Sequence, residues 1–343
     1  FNLPGRVIIR RGAIEDVPVV LQDLGCSSVL IVSDINVRSL YGVRVEQLLL
    51  RENIKPYFTN VSSNDHSFLE KLLGELAGVE FRCVAGMGGG RPVDAGKFLA
   101  YKLGRIFVSI PTSISHDGFA SPIVALKDDQ GNPLSLFTRT PMGVIVDLEI
   151  VSHAPRRLLS SGFADIIAKI TSVADARLAI REKGEYTSEM ALRMAEGAAR
   201  MVLEEVEEIA SFSERGLRLL AEAGLLAGMA MSIAGSSRPC SGSEHLFSHA
   251  LDKLYGGKGL HGEQVGLGTI IAAYLHGFDW AGIKKALRRV GAPTTIGELG
   301  LSVEEAVQAL LVAPRLRDRY TILHKLVLDE NSAKEVITRT VVS

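Results

Sequence analysis

The feature that most constrains this chain is a change of hydrophobic period near Pro155. Before it, short β-branched runs, VIIR at 7–10, VLIVSD at 29–34, FRCVAG at 81–86 and RIFVSI at 105–110, alternate with stretches of helical period near 14–24, 38–51, 66–76 and 92–102. That rhythm predicts a parallel sheet covered by helices. The run SPIVALKDDQGNPLSLF reads as a hairpin, with its turn residues in DDQGNP, and GVIVDLEIV closes the region. Beyond VSHAPRR, apolar residues recur at spacings of three and four. Segments 161–181, 187–210, 214–234, 242–255, 262–276, 280–290 and 303–312 therefore read as helices broken at Gly and Pro. The expected class is α/β plus all-α, with one domain over 1–154 and a helical bundle over 155–343, a division that suits a chain of 343 residues.

The charge balance, 38 basic against 39 acidic residues, gives no support to a nucleic-acid groove or a membrane surface, so a small-molecule partner is expected. The apolar stretches AGLLAGMAMSIAG and LGTIIAAYL read as buried core helices too short to span a bilayer. Their small residues also suit subunit packing, and a homo-oligomer is expected. The opening FNLPGRVIIRRG lacks the pattern of a signal peptide, which makes a cytoplasmic protein the expectation. Cys26, Cys83 and Cys240 are odd in number and show no C-x-x-C pairing, so reduced thiols are expected.

In FRCVAGMGGGRPVDAGK a strand runs into a glycine cluster and then a helix start. Gly88, Gly89 and Gly90 let the backbone approach a ligand closely, and the helix N-terminus that follows favours a pyrophosphate. The spacing departs from G-x-G-x-x-G, with Arg91 where the last glycine would stand, so a plain tight turn is the competing reading. Asp94, in the first turn of that helix, suits either a cap or a cofactor contact. Asp34 ends VLIVSD, where a carboxylate can accept bonds from an adenosine ribose or cap the next helix. Arg38, four residues on, suits a 2′-phosphate, which leaves NAD and NADP both open. The loop PTSISHDGFASP must lie at the carboxyl end of its strand. Its hydroxyls, Thr112, Ser113, Ser115 and Ser121, suit cofactor phosphate and nicotinamide, while Asp117 suits a substrate hydroxyl.

The helical region holds one carboxylate and two imidazoles in apolar surroundings: Asp165 in SSGFADIIAK, His245 in GSEHLFSHAL and His261 in GKGLHGEQVG. Three such donors leave a coordination position open, the ligand set of a catalytic divalent metal acting as a Lewis acid. Zinc is the expected ion, although the set also suits iron, nickel or manganese. His249 lies one helical turn after His245 and reads as a substrate contact or proton relay.

With these motifs together, the chain resembles the metal-dependent glycerol dehydrogenase and dehydroquinate synthase superfamily, and within it most nearly the archaeal sn-glycerol-1-phosphate dehydrogenases. The resemblance runs from VLIVSD through GGGRPVDAGK, PTSISHDGFASP, VIVDLEIV, SGFADIIAK and GSEHLFSHAL to LHGEQVGLG. SHDGFASP is its most diagnostic piece, since glycerol dehydrogenases carry an STDAP-like form there. The resemblance implies a Rossmann-like nucleotide-binding domain, a helical domain and an active site in the cleft between them. It also implies NAD(P)H-dependent reduction of dihydroxyacetone phosphate to sn-glycerol 1-phosphate, the backbone of archaeal membrane lipids. By motif, Asp165, His245 and His261 would hold the metal, and Asp117, His249 and Asp165 would contact substrate. Gly90, Arg91, Pro92, Val93 and Asp94, with Thr112, Ser113, Ile114, Ser115 and Ser121, would hold the dinucleotide.

The hydride scheme needs donors for the substrate phosphate, and Ser236, Ser237 and Arg238 before the His245 helix are the residues expected there. Three rivals remain at this stage. They are a glycerol dehydrogenase acting on free polyols, a dehydroquinate synthase-like lyase, and a nucleotide-binding module with no metal.

Overall fold

Continuous apolar runs bounded by polar turns form the four central strands, buried on both faces, of a six-stranded sheet in the order β1-β8-β5-β4-β2-β3. The strands are β1 (Arg6–Arg10), β2 (Ser28–Ser33), β3 (Lys55–Asn60), β4 (Cys83–Gly88), β5 (Ile106–Pro111) and β8 (Gly143–Asp147), all paired in parallel. The computed structural model describes residues 2–343. Helices α1 (Val17–Asp23), α2 (Ile35–Arg51), α3 (His66–Glu75), α4 (Gly90–Lys102) and α5 (Leu148–Ser152) connect or flank the strands. The hairpin forms β6 (Ile123–Lys127) and β7 (Pro133–Phe137), closed where Asp128 Oδ1 accepts from Gln130 N and Asn132 N.

The sheet reverses its direction of growth between β2 and β4. Chain leaving β2 passes to β3 on one side, whereas chain leaving β4 passes to β5 on the other. A crevice at the carboxyl ends of these two strands is the usual ligand position in open parallel sheets. Asp34 and Gly88 both end there, and Ser33 Oγ donates to Met87 O at 2.8 Å to tie the two strand ends together.

Pro155 opens a unit built of helices: α6 (Arg156–Ile167), α7 (Lys169–Lys183), α8 (Glu189–Glu204), α9 (Val206–Ala210), α10 (Glu214–Ala234), α11 (Ser243–Tyr255), α12 (His261–His276), α13 (Trp280–Arg289), α14 (Val303–Val312), α15 (Ile322–Leu326) and α16 (Glu330–Val341). By compactness the chain divides into Phe1–Ala154 and Pro155–Ser343. Buried Asp175 on α7 holds several helix ends at once. It accepts from Ser243 N at 2.7 Å, Ser243 Oγ at 2.6 Å, Ile322 N at 2.7 Å and His276 Nε2 at 2.9 Å. The helix α10 is long and apolar enough to cross a membrane by length and composition, but it packs against α8 and more than half of its apolar stretch is buried in the unit.

Four features depart from the sequence reading. Strand β3 escapes it because KPYFTN is polar and contains Pro56, which an edge strand tolerates. The segment 161–181 is two helices meeting at Ala168, and 187–210 breaks at Glu205. Helices α15 and α16 lie beyond the last predicted one. Finally, Cys26 and Cys83 are joined as a disulfide with Cα atoms 5.9 Å apart, correcting the expectation of three reduced thiols. Val29, three residues after Cys26, pairs with Cys83 in the β2–β4 register, a proximity that cysteine spacing cannot reveal. Cys240 is buried, with Sγ 3.5 Å from Ala227 O.

Candidate metal centre and nucleotide-binding turn

In the first unit, the glycine turn depends on backbone that other residues cannot supply. Gly88 has φ +149°, and a Cβ there would stand 2.7 Å from Pro92 Cγ. A Cβ on Gly90 would overlap the His116 imidazole, and one on Gly86 would come within 2.8 Å of Val93 Cα. The helix α4 therefore starts hard against the sheet, with Gly89 as N-cap and no side chain capping its first turn. The first N–H groups of such a helix have no partner within it, and here they open on a small pocket. Gly89, Gly90, Val93, Pro111, Ser113, Ser115, His116 and Phe119 line that pocket. The Ser113 hydroxyl is buried, makes no hydrogen bond among the described residues, and would lie 3.6 Å from a Cβ on Gly89. An orphaned hydroxyl beside uncapped helix N–H groups fits a phosphate.

The other expected cofactor contacts divide by position. Asp34 caps α2 through Oδ1, which accepts from Asn36 N and Val37 N at 2.9 Å, and its Oδ2 lies 3.5 Å from where a Cβ on Gly88 would stand. Arg38 stacks its guanidinium 5.0 Å from the Phe58 ring centre. Arg91 is exposed and Thr112 half-buried, with Thr112 N bonded to Gly88 O. Pro92, Val93 and Ile114 are buried. Asp94 turns inward: Oδ2 accepts from Ala125 N at 3.3 Å and Oδ1 lies 3.5 Å from Lys97 Nζ. Burial pushes the Asp94 carboxyl up, against the pull of Lys97 and His116, and burial likewise pushes Lys97 down. Ser121 also faces its own turn, its Oγ accepting from Ile123 N at 3.2 Å.

Sequence reading missed Lys97, which donates to Gly118 O and Ile123 O at 2.7 Å each and so ties the 116–123 loop to α4. The signal was a lysine three residues after Asp94 in an apolar helix. At the loop's centre His116 Nδ1 accepts from Gly118 N at 2.9 Å, and Asp117 begins a 3-10 turn, half-buried.

In the second unit, Asp165, His245 and His261 converge, their donor atoms all lying within 4.8 Å of one another. Asp165 Oδ1 is 3.3 Å from His245 Nε2 and 3.8 Å from His261 Nε2. Glycines on α12 permit this. A Cβ on Gly262 would overlap Ser161 O on α6, and one on Gly268 would press on Glu244 O and Cα on α11. Gly262 N instead donates to Ser161 Oγ at 3.2 Å, which places His261 beside Asp165.

Two more residues here escaped sequence reading. Glu244 accepts from His245 Nδ1 at 2.8 Å, from Thr171 Oγ1 at 2.7 Å and from Gly242 N at 2.6 Å. Lys169, one turn after Asp165, is fully buried and donates to Asp165 O at 2.6 Å, with Nζ 3.2 Å from Oδ1. Burial alone would raise Asp165, but Lys169 and the two imidazoles hold it well below the usual carboxylate range. Burial would lower His245, yet its bonds to Asp165 and Glu244 outweigh that and raise it. Two Nε2 atoms and a carboxylate oxygen aimed at one point, with Nδ1 of one ring fixed by a carboxylate, match how proteins present a divalent metal's ligands.

His249 stands beside this set, its ring centre 6.5 Å from those of both His245 and His261. Its Nδ1 is buried without a hydrogen bond among the described residues, since Asp252 Oδ2 is 3.9 Å away. Burial, then Arg317 and the neighbouring imidazoles, push it well below the usual histidine value, so the ring is neutral near pH 7. Ser237 and Arg238 lie in the turn before α11, and Ser236 Oγ accepts from Arg238 N at 3.2 Å.

A family model described as iron-containing alcohol dehydrogenase matches residues 8–155. The chain is 58% identical over 340 residues to a glycerol-1-phosphate dehydrogenase [NAD(P)+] of Thermofilum pendens, covering 99% of this chain and 97% of that one. It is 41% identical over 336 residues to the enzyme of the same name from Pyrococcus furiosus, covering 97% and 96%. The fold matches a probable glycerol dehydrogenase of Sinorhizobium meliloti with TM-score 0.78 at 22% identity, covering 99% and 97% of the two chains. It also matches the glycerol dehydrogenase of Schizosaccharomyces pombe with TM-score 0.81 at 19% identity, covering 99% and 89%.

Proposed function

Because the chain belongs to the glycerol-1-phosphate dehydrogenase family, we propose that it reduces dihydroxyacetone phosphate reversibly to sn-glycerol 1-phosphate with NADH or NADPH, supplying a lipid backbone. The observation that carries this reading is the convergence of Asp165, His245 and His261 in a chain so similar to these enzymes. The unit 1–154 binds the dinucleotide and the unit 155–343 binds metal and substrate.

In the first unit, the N–H groups of Gly90 and Arg91, with Ser113 and Ser115, receive the cofactor phosphates. Pro92 and Val93 shape that turn, Ile114 anchors the following loop in the core, and Thr112 contributes a further hydroxyl. Asp94 and Ser121 serve by holding the loop that carries Asp117, which contacts substrate. In the second unit, Asp165, His245 and His261 hold the divalent metal, for which zinc fits the donor set.

When bound, the nicotinamide supplies a hydride for C2 and the cation supplies Lewis-acid charge opposite the carbonyl oxygen. Glu244 keeps the Nδ1 proton on His245, which leaves Nε2 as the ligand atom. His249, neutral, presents a ring nitrogen to a substrate hydroxyl and can exchange a proton with it. A cytoplasmic site of action accords with a water-soluble substrate. Self-association is supported by the apolar side chains exposed along α2, Ile35, Leu40 and Val43 among them.

Chiral analysis of the product formed from dihydroxyacetone phosphate and NADH tests the reading. The sn-1 phosphate is expected, accompanied by loss of activity on chelation. Formation of the sn-3 enantiomer overturns it.

A further inference from the structure

Helix α6 faces the start of α12 with three residues spaced four apart, Arg157, Ser161 and Asp165. A spacing of four puts side chains on one face of a helix, one above another. Each meets a residue in the first turn of α12. Arg157 donates to Glu263 from Nε to Oε1 at 2.6 Å and from Nη2 to Oε2 at 2.7 Å. Ser161 Oγ accepts from Gly262 N at 3.2 Å. Asp165 Oδ1 lies 3.8 Å from His261 Nε2. Three consecutive residues of α12, taken backwards, thus meet every fourth residue of α6.

This ladder pins the backbone on both sides of His261. Glu263 Oε2 accepts at 2.8 Å from the N–H of Leu260, the residue before it, while Ser161 holds Gly262 N, the residue after it. His261 needs such support, because 39% of its side chain is exposed, against 1% for Asp165 and 9% for His245. Arg157 differs from an ordinary surface partner. Its own side chain is 65% exposed, but the carboxylate it grips is only 3% exposed and is held by two short parallel bonds. Exposed ion pairs contribute little, whereas removing the partner of a buried carboxylate leaves its charge unpaired. A Cβ on Gly259 would stand 2.7 Å from Glu263 Oε2, so the turn before α12 also leaves room for this carboxylate. Without Arg157 the Glu263 charge would be drawn toward water, away from Leu260 N.

We propose that Arg157 is a positioning residue for the metal centre: through Glu263 it fixes the backbone that carries His261, and so sets how far that imidazole stands from Asp165. The proposal rests on the metal centre inferred above. Groups that orient a metal's ligands raise affinity by holding them in place before the ion arrives.

The test uses the full chain and two readouts, zinc affinity by competition with a chromophoric chelator and the visible absorption of the cobalt-substituted protein, which reports ligand geometry. Arg157→Gln should weaken zinc binding by about 10- to 100-fold and shift the cobalt bands, with NADH affinity unchanged. Arg157→Lys keeps the charge, loses the fork and should fall between. Arg289→Gln supplies the control, since it breaks the exposed pair of Arg289 and Glu207 in the same unit and should change neither readout. Should Arg157→Gln not fold, Arg157→Lys carries the same two measurements. The proposal falls if Arg157→Gln binds zinc as wild type does or leaves the cobalt bands unmoved, or if Arg289→Gln weakens zinc binding equally. A wild type that takes up neither zinc nor cobalt refutes the metal centre itself, whereas a metal-binding wild type that Arg157→Gln matches overturns only the role of Arg157.

Discussion

At the residue scale, the proposed metal centre turns on which ring nitrogen of His245 is free. Glu244 accepts the Nδ1 proton from a position fixed by Thr171 and by the backbone of Gly242. Glu244→Gln should weaken zinc binding by about 10- to 100-fold, read by competition with a chromophoric chelator, while leaving NADH affinity unchanged. Zinc affinity equal to wild type would remove Glu244 from this role. The pH dependence has a definite direction. The raised His245 pKa contributes stability that the metal-free protein has in full below about pH 6.5 and loses as pH rises through the raised value. Asp165 and Glu244, held low, contribute stability present above about pH 4 and lost as pH falls through their depressed values. The metal needs the neutral His245 ring, so its affinity should rise with pH across the range where the metal-free protein loses stability.

At the element scale, helix α12 is positioned by what it lacks. With no Cβ at Gly262 or Gly268, its backbone seats against Ser161 on α6 and Glu244 on α11. Gly262→Ala should cost at least about 1–3 kcal/mol by overpacking and release bound zinc, whereas Gly297→Ala, where a Cβ meets open space, should do neither. Thermal melting with metal analysis reads both, and a Gly262→Ala protein that keeps its zinc and its melting temperature would refute the account. Much of this site was legible because carboxylate and imidazole groups stand out in apolar helices, as Asp165 and His245 do. Glu244 and Lys169 carried the same signal, but each sits beside or one turn from a stronger candidate that already explained the local polarity. The link from Arg319 to Ser241 O and Ser237 Oγ was not legible, since only tertiary packing carries RLRDRY to the turn before α11. The disulfide was hidden for a similar reason, because strand order, not sequence spacing, makes β2 and β4 neighbours.

At the scale of the whole molecule, the two units carry different fastenings. The Cys26–Cys83 bond closes a loop of sequence separation 57 inside the α/β core, worth roughly 4 kcal/mol by the chain-entropy estimate. A metal bound at the proposed site and present at a hundred times its dissociation constant would stabilise the helical unit by about 2.7 kcal/mol. Hydrogen exchange should therefore quicken within 1–154 on reduction and within 155–343 on chelation. Both treatments loosening both units alike would contradict this. The proposed metal ligands also follow one another along the chain on three helices, Asp165 on α6, His245 on α11 and His261 on α12. A ribosome making this protein must therefore release more than half of the helical unit, through His261 at the start of α12, before the third donor emerges. A metal held by these three donors would be captured only after about three-quarters of the polypeptide has been made, and so could not serve as an early folding nucleus.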